Sequence, residues 1–391
     1  MSLILARSPY FVSNEGFDEG ATLTVNIGDA YTGFNPPNPD PVFKMSVIKS
    51  YTLNFRQQTE LDISPLIRDV ISYNSTYDTD FIVYVTTSVS GTISGAYQSP
   101  VLGAFYASDG YSFYEDGYNY SIESDLINNG FYAGSNNTMY KFGDETIRIP
   151  LLNTSLSPDN PPTTITAKFY LNDNLIKTES IVINVDDSSS NAYKKIEGSG
   201  FNIKARIESD GGTFVDSTCF QRWLRNTSLE DFDKVVLTNN FYTNEHTVFI
   251  KTISECKYQP YEIIFKNRYG VEESLWFFKK SEYSLNTTSE EYRGNTFAQF
   301  KAGDLSYHTY QDYNVNGKEM MVLNTGFLEE SFSENFKQLG LSEKVYIMKD
   351  NVKLPVKLKS RDITYKQSVN QKLIDYRIEV EFAYDKLNNI V

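Results

Sequence analysis

Apolar and polar residues alternate along most of this chain, and that pattern predicts strands far more often than helices. Leu23, Val25 and Ile27 alternate with Thr22, Thr24 and Asn26, which turns one face of a strand to a core. Tyr51, Leu53 and Phe55 repeat the pattern. Residues 81–85 read FIVYV, a continuous apolar run that predicts a central strand. Ile165, Ala167, Phe169 and Leu171 alternate, Asn172-Asp173-Asn174 turns the chain, and Ile181, Ile183 and Val185 return, which together predict a hairpin. Tyr261, Ile263 and Phe265 form another strand, and Asn267-Arg268-Tyr269-Gly270 turns it. The return strand carries Leu275 and Phe277 on one face and Trp276 and Phe278 on the other. Such a strand is either buried on both sides or offers one face to a partner. From Ile374 to Tyr384 the alternation is unbroken, with Asp375, Arg377, Glu379 and Glu381 between the apolar residues. A long strand with a charged outer face suits a sheet edge or an inter-subunit sheet.

Helical signals are few. Ser64 and Pro65 suit the N-cap and first position of a short helical turn in Asp62–Arg68. Leu328, Phe332, Phe336 and Leu339 make one stripe, which predicts an amphipathic helix over 326–340. Glu329 and Glu330 stand in its first turn, Lys337 in its last, and Gly340 where a C′ glycine belongs. Pro36, Pro37, Pro39 and Pro41 stiffen a loop. Asp186–Asn191 is polar and without apolar anchors, which makes it the best linker. The fold class that follows is mainly β. Tandem β-sandwich domains, Ig-like or jelly-roll-like, would span 1–187 and 192–391, the second holding the helix.

Composition sharpens this reading. The 391 residues carry a formal net charge of −14, a poor match for a phosphate backbone, so nucleic acid is not an expected partner. Tyr and Phe number 29 and 26, and they crowd into a segment without Lys or Arg between Asp69 and Tyr140. A turn-rich excursion at about 90–145 is expected there, with Tyr as contact material. No apolar run approaches the roughly 18 residues of a membrane span, and no export signal is visible. The chain is therefore expected to be made in the cytosol, with Cys219 and Cys256 as free thiols.

Signatures of catalysis are missing. His246 and His308, the two histidines, sit in no nucleophile elbow. The two cysteines lack Cys-X-X-Cys spacing. Asp109-Gly110 and Asp116-Gly117 do not match a calcium-loop register, and turn chemistry accounts for them. No cofactor and no metal are expected, and the protein is read as a non-enzyme. The residues expected to make contacts are Tyr111, Phe113, Tyr114, Tyr118, Trp276, Phe278, Phe332 and Phe336. The basic strip Lys344, Lys349, Lys353, Lys357, Lys359, Arg361 and Lys366 suits a solvated face or docking on an acidic neighbour.

Five stretches carry a family resemblance: Leu5–Val12; Asp62–Arg68; Asp109–Gly117; Cys256–Pro260 with Tyr269-Gly270 and Leu275–Lys280; and the helical segment Gly326–Leu341 with Pro355–Ser360 and Lys372–Tyr376. In this order they resemble virion structural proteins of tailed bacteriophages, especially phages of marine and Bacteroidetes-type hosts. The resemblance implies a component of the tail, baseplate or fibre-attachment region, homo-oligomeric and bound to other tail proteins. It supplies no catalytic residues. The rival expectation is a receptor-binding protein whose 105–140 aromatics stack on host surface glycan.

Overall fold

The computed structural model describes residues 3–13, 19–29, 45–50, 60–74, 83–93, 96–98, 101–120, 132–142, 147, 149–151, 163–183, 201–203, 232–239, 245–294, 308–350, 352–361 and 373–387. The predicted strand at Tyr51–Phe55, the proline loop, the Asp186–Asn191 linker, Cys219 and Lys366 lie outside them. The described chain is mainly β. It divides into two compact units, Met1–Ile253 with Phe265–Ser274, and Ser254–Ile264 with Leu275–Val391.

The first unit opens with β1 (Leu3–Leu5), β2 (Phe11–Ser13), β3 (Glu19–Asp29), β4 (Met45–Ser50) and β5 (Glu60–Asp62). Helix α1 (Ser64–Asn74) follows, then β6 (Val83–Ile93), β7 (Ala96–Gln98) and β8 (Val101–Ser108). The first sheet runs β1-β8-β6-β3-β4, with β7 beside β6, and β2 pairs β5. Val83, Tyr84 and Val85 of the apolar run thus lie in a central strand, as its composition predicts. Phe105 and Tyr106, expected in an excursion, instead lie in β8, bonded on both sides. Helix α1 is longer than the single turn predicted. Ile63, Ile67 and Ile71 recur at every fourth residue and pack with Val25, Val85, Phe105 and Ile4 in one core. Its start is held by Asp62, whose carboxylate accepts from the Ser64 N–H at 3.0 Å and the Ser64 hydroxyl at 2.7 Å.

The second sheet of this unit has β9 (Thr138–Lys141), β11 (Thr163–Leu171), β12 (Asn174–Ile183), β14 (Lys234–Asn239) and β15 (His246–Thr252), in the order β12-β11-β14-β15-β9. A separate pair joins β10 (Ile149–Leu151) to β13 (Phe201–Ile203). The β11–β12 hairpin turns where predicted. Asn172 and Asp173 both adopt positive φ, 50° and 64°, the geometry that matches strand twist in a two-residue loop. Strands before and after the polar 186–191 segment pair directly, β11 with β14.

His246 of β15 stacks on Tyr132, centroids 4.0 Å apart. Its buried Nε2 has no hydrogen-bond partner among the described residues. Burial lowers its pKa from 6.5 to about 4, because the charged imidazolium loses solvent. The unfolded chain takes up this proton near pH 6.5, and the folded chain only near 4. Stability present above 6.5 is therefore lost as pH falls through that window, by on the order of 2 kcal/mol after allowance for solvent screening. Urea unfolding at pH 7 and pH 4.5 measures the loss, and His246→Phe, which keeps the stacking, flattens that part of the profile.

The second unit is built on a seven-stranded sheet. Its strands are β16 (Tyr261–Lys266), β17 (Glu272–Phe277), β18 (Glu282–Arg293), β19 (Tyr310–Glu329), β20 (Val345–Lys349), β21 (Val352–Leu358) and β22 (Leu373–Phe382), in the order β17-β16-β20-β21-β22-β19-β18. The far ends of β16 and β17 with their turn, 265–274, count with the first unit. Helix α2 (Ser333–Leu341) follows a 3-10 turn, Glu330–Phe332. The helix predicted at 326–340 therefore starts later, because β19 runs on to Glu329 to pair with β22. Gly340 is helical rather than C′. The carbonyls of Gly340 and Ser342 accept from Arg361 at 2.8 and 2.7 Å, which satisfies orphan acceptors at the helix end.

Strand β22 alternates as predicted, with Ile374, Tyr376, Ile378, Val380 and Phe382 buried. It is an interior strand between β21 and β19, not the edge its charges suggested. One face meets water, and its charges follow from that alone. Leu275, Trp276 and Phe277 of β17 are all buried, so both faces of that strand are covered.

Candidate functional site

Segments distant in sequence converge in the first unit. The Arg7 N–H donates to the Gly110 carbonyl at 2.9 Å, and the Tyr111 N–H to the Arg268 carbonyl at 2.8 Å. The Ser112 N–H donates to Ser8 Oγ at 2.7 Å, and the Ser108 hydroxyl to the Tyr269 carbonyl at 3.0 Å. The Tyr10 N–H donates to the Asp62 carboxylate at 3.0 Å. Leu5–Val12, Asp62–Arg68, Asp109–Gly117 and Tyr269-Gly270, four of the segments that carry the family resemblance, thus meet at one junction.

Asn267 organises the turn behind it. It is fully buried. Its Oδ1 accepts from the N–H groups of Tyr269 and Val271 at 3.0 and 3.2 Å, and its Nδ2 donates to the Ala133 carbonyl at 2.7 Å and to Glu273 at 3.1 Å. Glu273, also buried, accepts from the Ser135 N–H at 3.1 Å and its hydroxyl at 2.7 Å. A buried carboxylate is tolerable when donors surround it in this way. Burial, and then the Glu273 charge, hold the Tyr132 phenol well above its usual pKa, so Tyr132 stays neutral.

Gly270 closes the turn at φ +79°, and a Cβ there would stand 2.9 Å from the Asp109 carbonyl carbon and the Gly110 nitrogen. Gly117 has the same φ with nothing within 4 Å. Gly270→Ala is expected to cost about 2–3 kcal/mol and Gly117→Ala about 1 kcal/mol, because only the first adds a backbone clash to the left-handed strain. Thermal melts of the two variants check the difference.

On this junction sits the 109–120 loop. Phe113 precedes a 3-10 turn, Tyr114–Asp116. The Asp116 carboxylate accepts from the Phe113 N–H at 2.7 Å and pairs with Arg268 at 2.7 Å. The Arg268 guanidinium lies 4.9 Å from the Phe113 ring centroid and 5.1 Å from that of Tyr120, within cation–π range. Asn119 bonds Phe11 through both its amide oxygen and its amide nitrogen. The loop is thus tied down at three places while Tyr114 and Tyr118 stand 91% and 69% exposed. Asp109 pairs with Lys266 at 3.7 Å, so both Asp-Gly carboxylates have basic partners. Among the described residues no group of His, Cys, Asp or Glu is arranged to hold a metal ion.

Of the eight expected contact residues, Tyr114 and Tyr118 are displayed. Tyr111 is buried and Phe113 half-buried under Arg268. Trp276, Phe332 and Phe336 are core residues, and Phe278 is half-buried. Their apolar character serves the interior, where sequence pattern alone does not separate core from contact. Members of the basic strip have partners within the chain. Lys359 pairs with Glu381 at 3.4 Å, Lys349 lies 5.1 Å from the Tyr283 ring, and Arg361 closes α2.

Sequence reading missed a second surface, in the second unit. Strand β19 has 20 residues, about 66 Å at ~3.3 Å each. Its Met320–Glu329 half pairs β22, whereas its other half pairs only β18 among the described strands. The result is a two-stranded arm. Every residue of β18 is exposed. Leu285, Tyr292, Tyr310, Tyr313 and Val315 are large exposed apolar residues of this arm. Tyr292 meets Tyr313 edge-on at 5.6 Å, and Tyr283 donates to the Glu319 carboxylate. Because both faces are solvated, no amphipathic period marks the arm in the sequence. No protein-family model matches the chain, and no curated protein is similar to it in sequence.

Proposed function

We propose that this chain is a non-enzymatic structural or adaptor protein of a tailed-phage particle, in the tail or baseplate, which assembles as a symmetric oligomer with other virion proteins. In this reading its sheets form β-sandwich halves of the immunoglobulin or jelly-roll kind, and it reaches the virion from the host cytoplasm without cofactor or metal. The observation that carries the proposal is the β18–β19 arm. A two-stranded ribbon is marginal in water by itself, and a long open edge invites pairing with another chain. An arm of this length gains its stability when a neighbour covers it. The four converging segments, Leu5–Val12, Asp62–Arg68, Asp109–Gly117 and Tyr269-Gly270, give the phage resemblance a common structural element. Negative-stain electron microscopy of the purified chain tests the reading. Closed symmetric particles are expected, and a uniform field of single chains would contradict it.

A second reading has its own observation, the rigidly held pair Tyr114 and Tyr118. Exposed aromatic rings on a fixed loop stack on sugar faces, and a receptor-binding protein would use them for host glycan. Glycan-array binding that disappears in Tyr114→Ala and Tyr118→Ala favours this function. Binding that survives both changes excludes the loop as its site.

A further inference from the structure

We infer that β18 is the edge through which two copies of this chain pair, strand against antiparallel strand, about a two-fold axis at Thr287; this rests on the assembly reading above and names its contact. The open hydrogen-bonding groups can be located. Thr287 stands opposite Gly317 of β19. The Gly317 N–H donates to Asn316 Oδ1 at 2.8 Å, and its carbonyl accepts from the Lys386 N–H at 2.7 Å. Asn316 is itself bonded to Leu387 through both ends of its amide. Both Gly317 backbone groups therefore point away from β18, so Thr287 and Gly317 form a non-hydrogen-bonded pair. In an antiparallel ladder the Thr287 N–H and carbonyl then face outward. At the far end, the Gly294 N–H donates to the Thr309 carbonyl at 2.8 Å, so Gly294 faces inward and Arg293 outward. The odd-numbered residues from Tyr283 to Arg293 thus present their backbone groups at the outer edge.

The strand lacks several of the usual protections of such an edge, although Glu282, Glu290, Glu291 and Arg293 charge its two ends. Its sequence, EYSLNTTSEEYR, holds no Pro and no Lys, and the register shift in this pair places the extra residue on β19. A two-fold axis perpendicular to the sheet must pass through a residue paired with its own copy, which keeps facing side chains on one side. With Thr287 at the centre, every residue from Glu282 to Tyr292 finds a partner. Leu285 then faces Ser289, Ser284 faces Glu290, Tyr283 faces Glu291, and Glu282 faces Tyr292. No like charges stand directly opposite each other, and the Ser284 hydroxyl faces the Glu290 carboxylate. Within the arm the Tyr283 hydroxyl donates to Glu319, the Tyr292 hydroxyl to Gln311, and Tyr313 bonds Glu290. A second copy is the occupant that pairs the outward backbone groups of this edge without setting like charges opposite each other.

The test uses the full chain with single substitutions, with the native cysteines as background. Thr287→Cys, on mild oxidation or with a short bismaleimide, is expected to give a covalent dimer whose linked peptide joins position 287 to itself. Ser281→Cys gives none above background, because its two copies lie about 40 Å apart in this register, at ~3.4 Å per residue. Thr287→Lys, an exposed change that leaves β18–β19 pairing intact, sets two ammonium groups against each other and is expected to halve the mass in solution. A native oligomer that neither cross-links at 287 nor responds to Thr287→Lys overturns the β18 interface and leaves the assembly reading standing. A native chain that stays single up to tens of micromolar overturns both.

Discussion

Phe336→Ala is expected to destabilise the second unit by about 3–5 kcal/mol, the cost of emptying a large aromatic site in a packed core. Phe336 is fully buried. Its ring stacks on Tyr376 at 3.8 Å with 10° between planes, and meets Phe277 edge-on at 6.1 Å. The residue thus joins α2 to β22 and to β17, and no small shift of the helix closes the hole from all sides. Urea unfolding followed by the fluorescence of Trp276, which lies in the same unit, reads the change. Phe336→Leu retains most of the volume and loses less. A change below about 1 kcal/mol in the alanine variant would mean that α2 is not part of the core.

Arg268→Ala has the second-largest expected effect, about 3 kcal/mol, because it leaves the Asp116 carboxylate without its mostly buried counter-charge. The side chains of Arg268 and Asp116 are 14% and 22% exposed, so water replaces the lost partner only in part. Asp116 also fixes the Phe113 N–H, and the guanidinium lies against Phe113 and Tyr120. The variant therefore loosens the loop that holds Tyr114 and Tyr118. Limited proteolysis within 113–118 is expected to quicken along with the drop in stability. Adding Asp116→Asn restores part of the loss, because the stranded charge is gone. Full additivity of the two changes would show that the pair does not act as a unit.

What could be read in advance depended on whether one face or two met water. Strands β11 and β22 alternate because one side of each packs on a core, and the turn at Asn172-Asp173 needs residues that accept positive φ. These were legible. Strand β18 and the outer half of β19 were not, because a ribbon wet on both faces carries no period. The Leu328–Leu339 stripe predicted a helix and located its core residues, but its first turn was taken up by β19. There the pairing of Phe327, Leu328 and Glu329 with β22 outweighed helical spacing. The exposure of Tyr114 and Tyr118 was legible from composition, since Tyr in a Gly- and Asp-rich loop tends to stay exposed. The burial of Trp276, Phe332 and Phe336 was not legible for the converse reason, because an apolar residue on a strand or helix serves a core and an interface equally well. The Asn267–Glu273–Ser135 network joins residues 138 positions apart, and such a connection has no local signature.

The central claim is that this chain works as an assembled subunit, and its mass in solution tests that most directly. Mass photometry of the purified chain, backed by sedimentation at micromolar concentration, should give a discrete multiple of 44.7 kDa. A single species at 44.7 kDa across the whole concentration range would contradict the account.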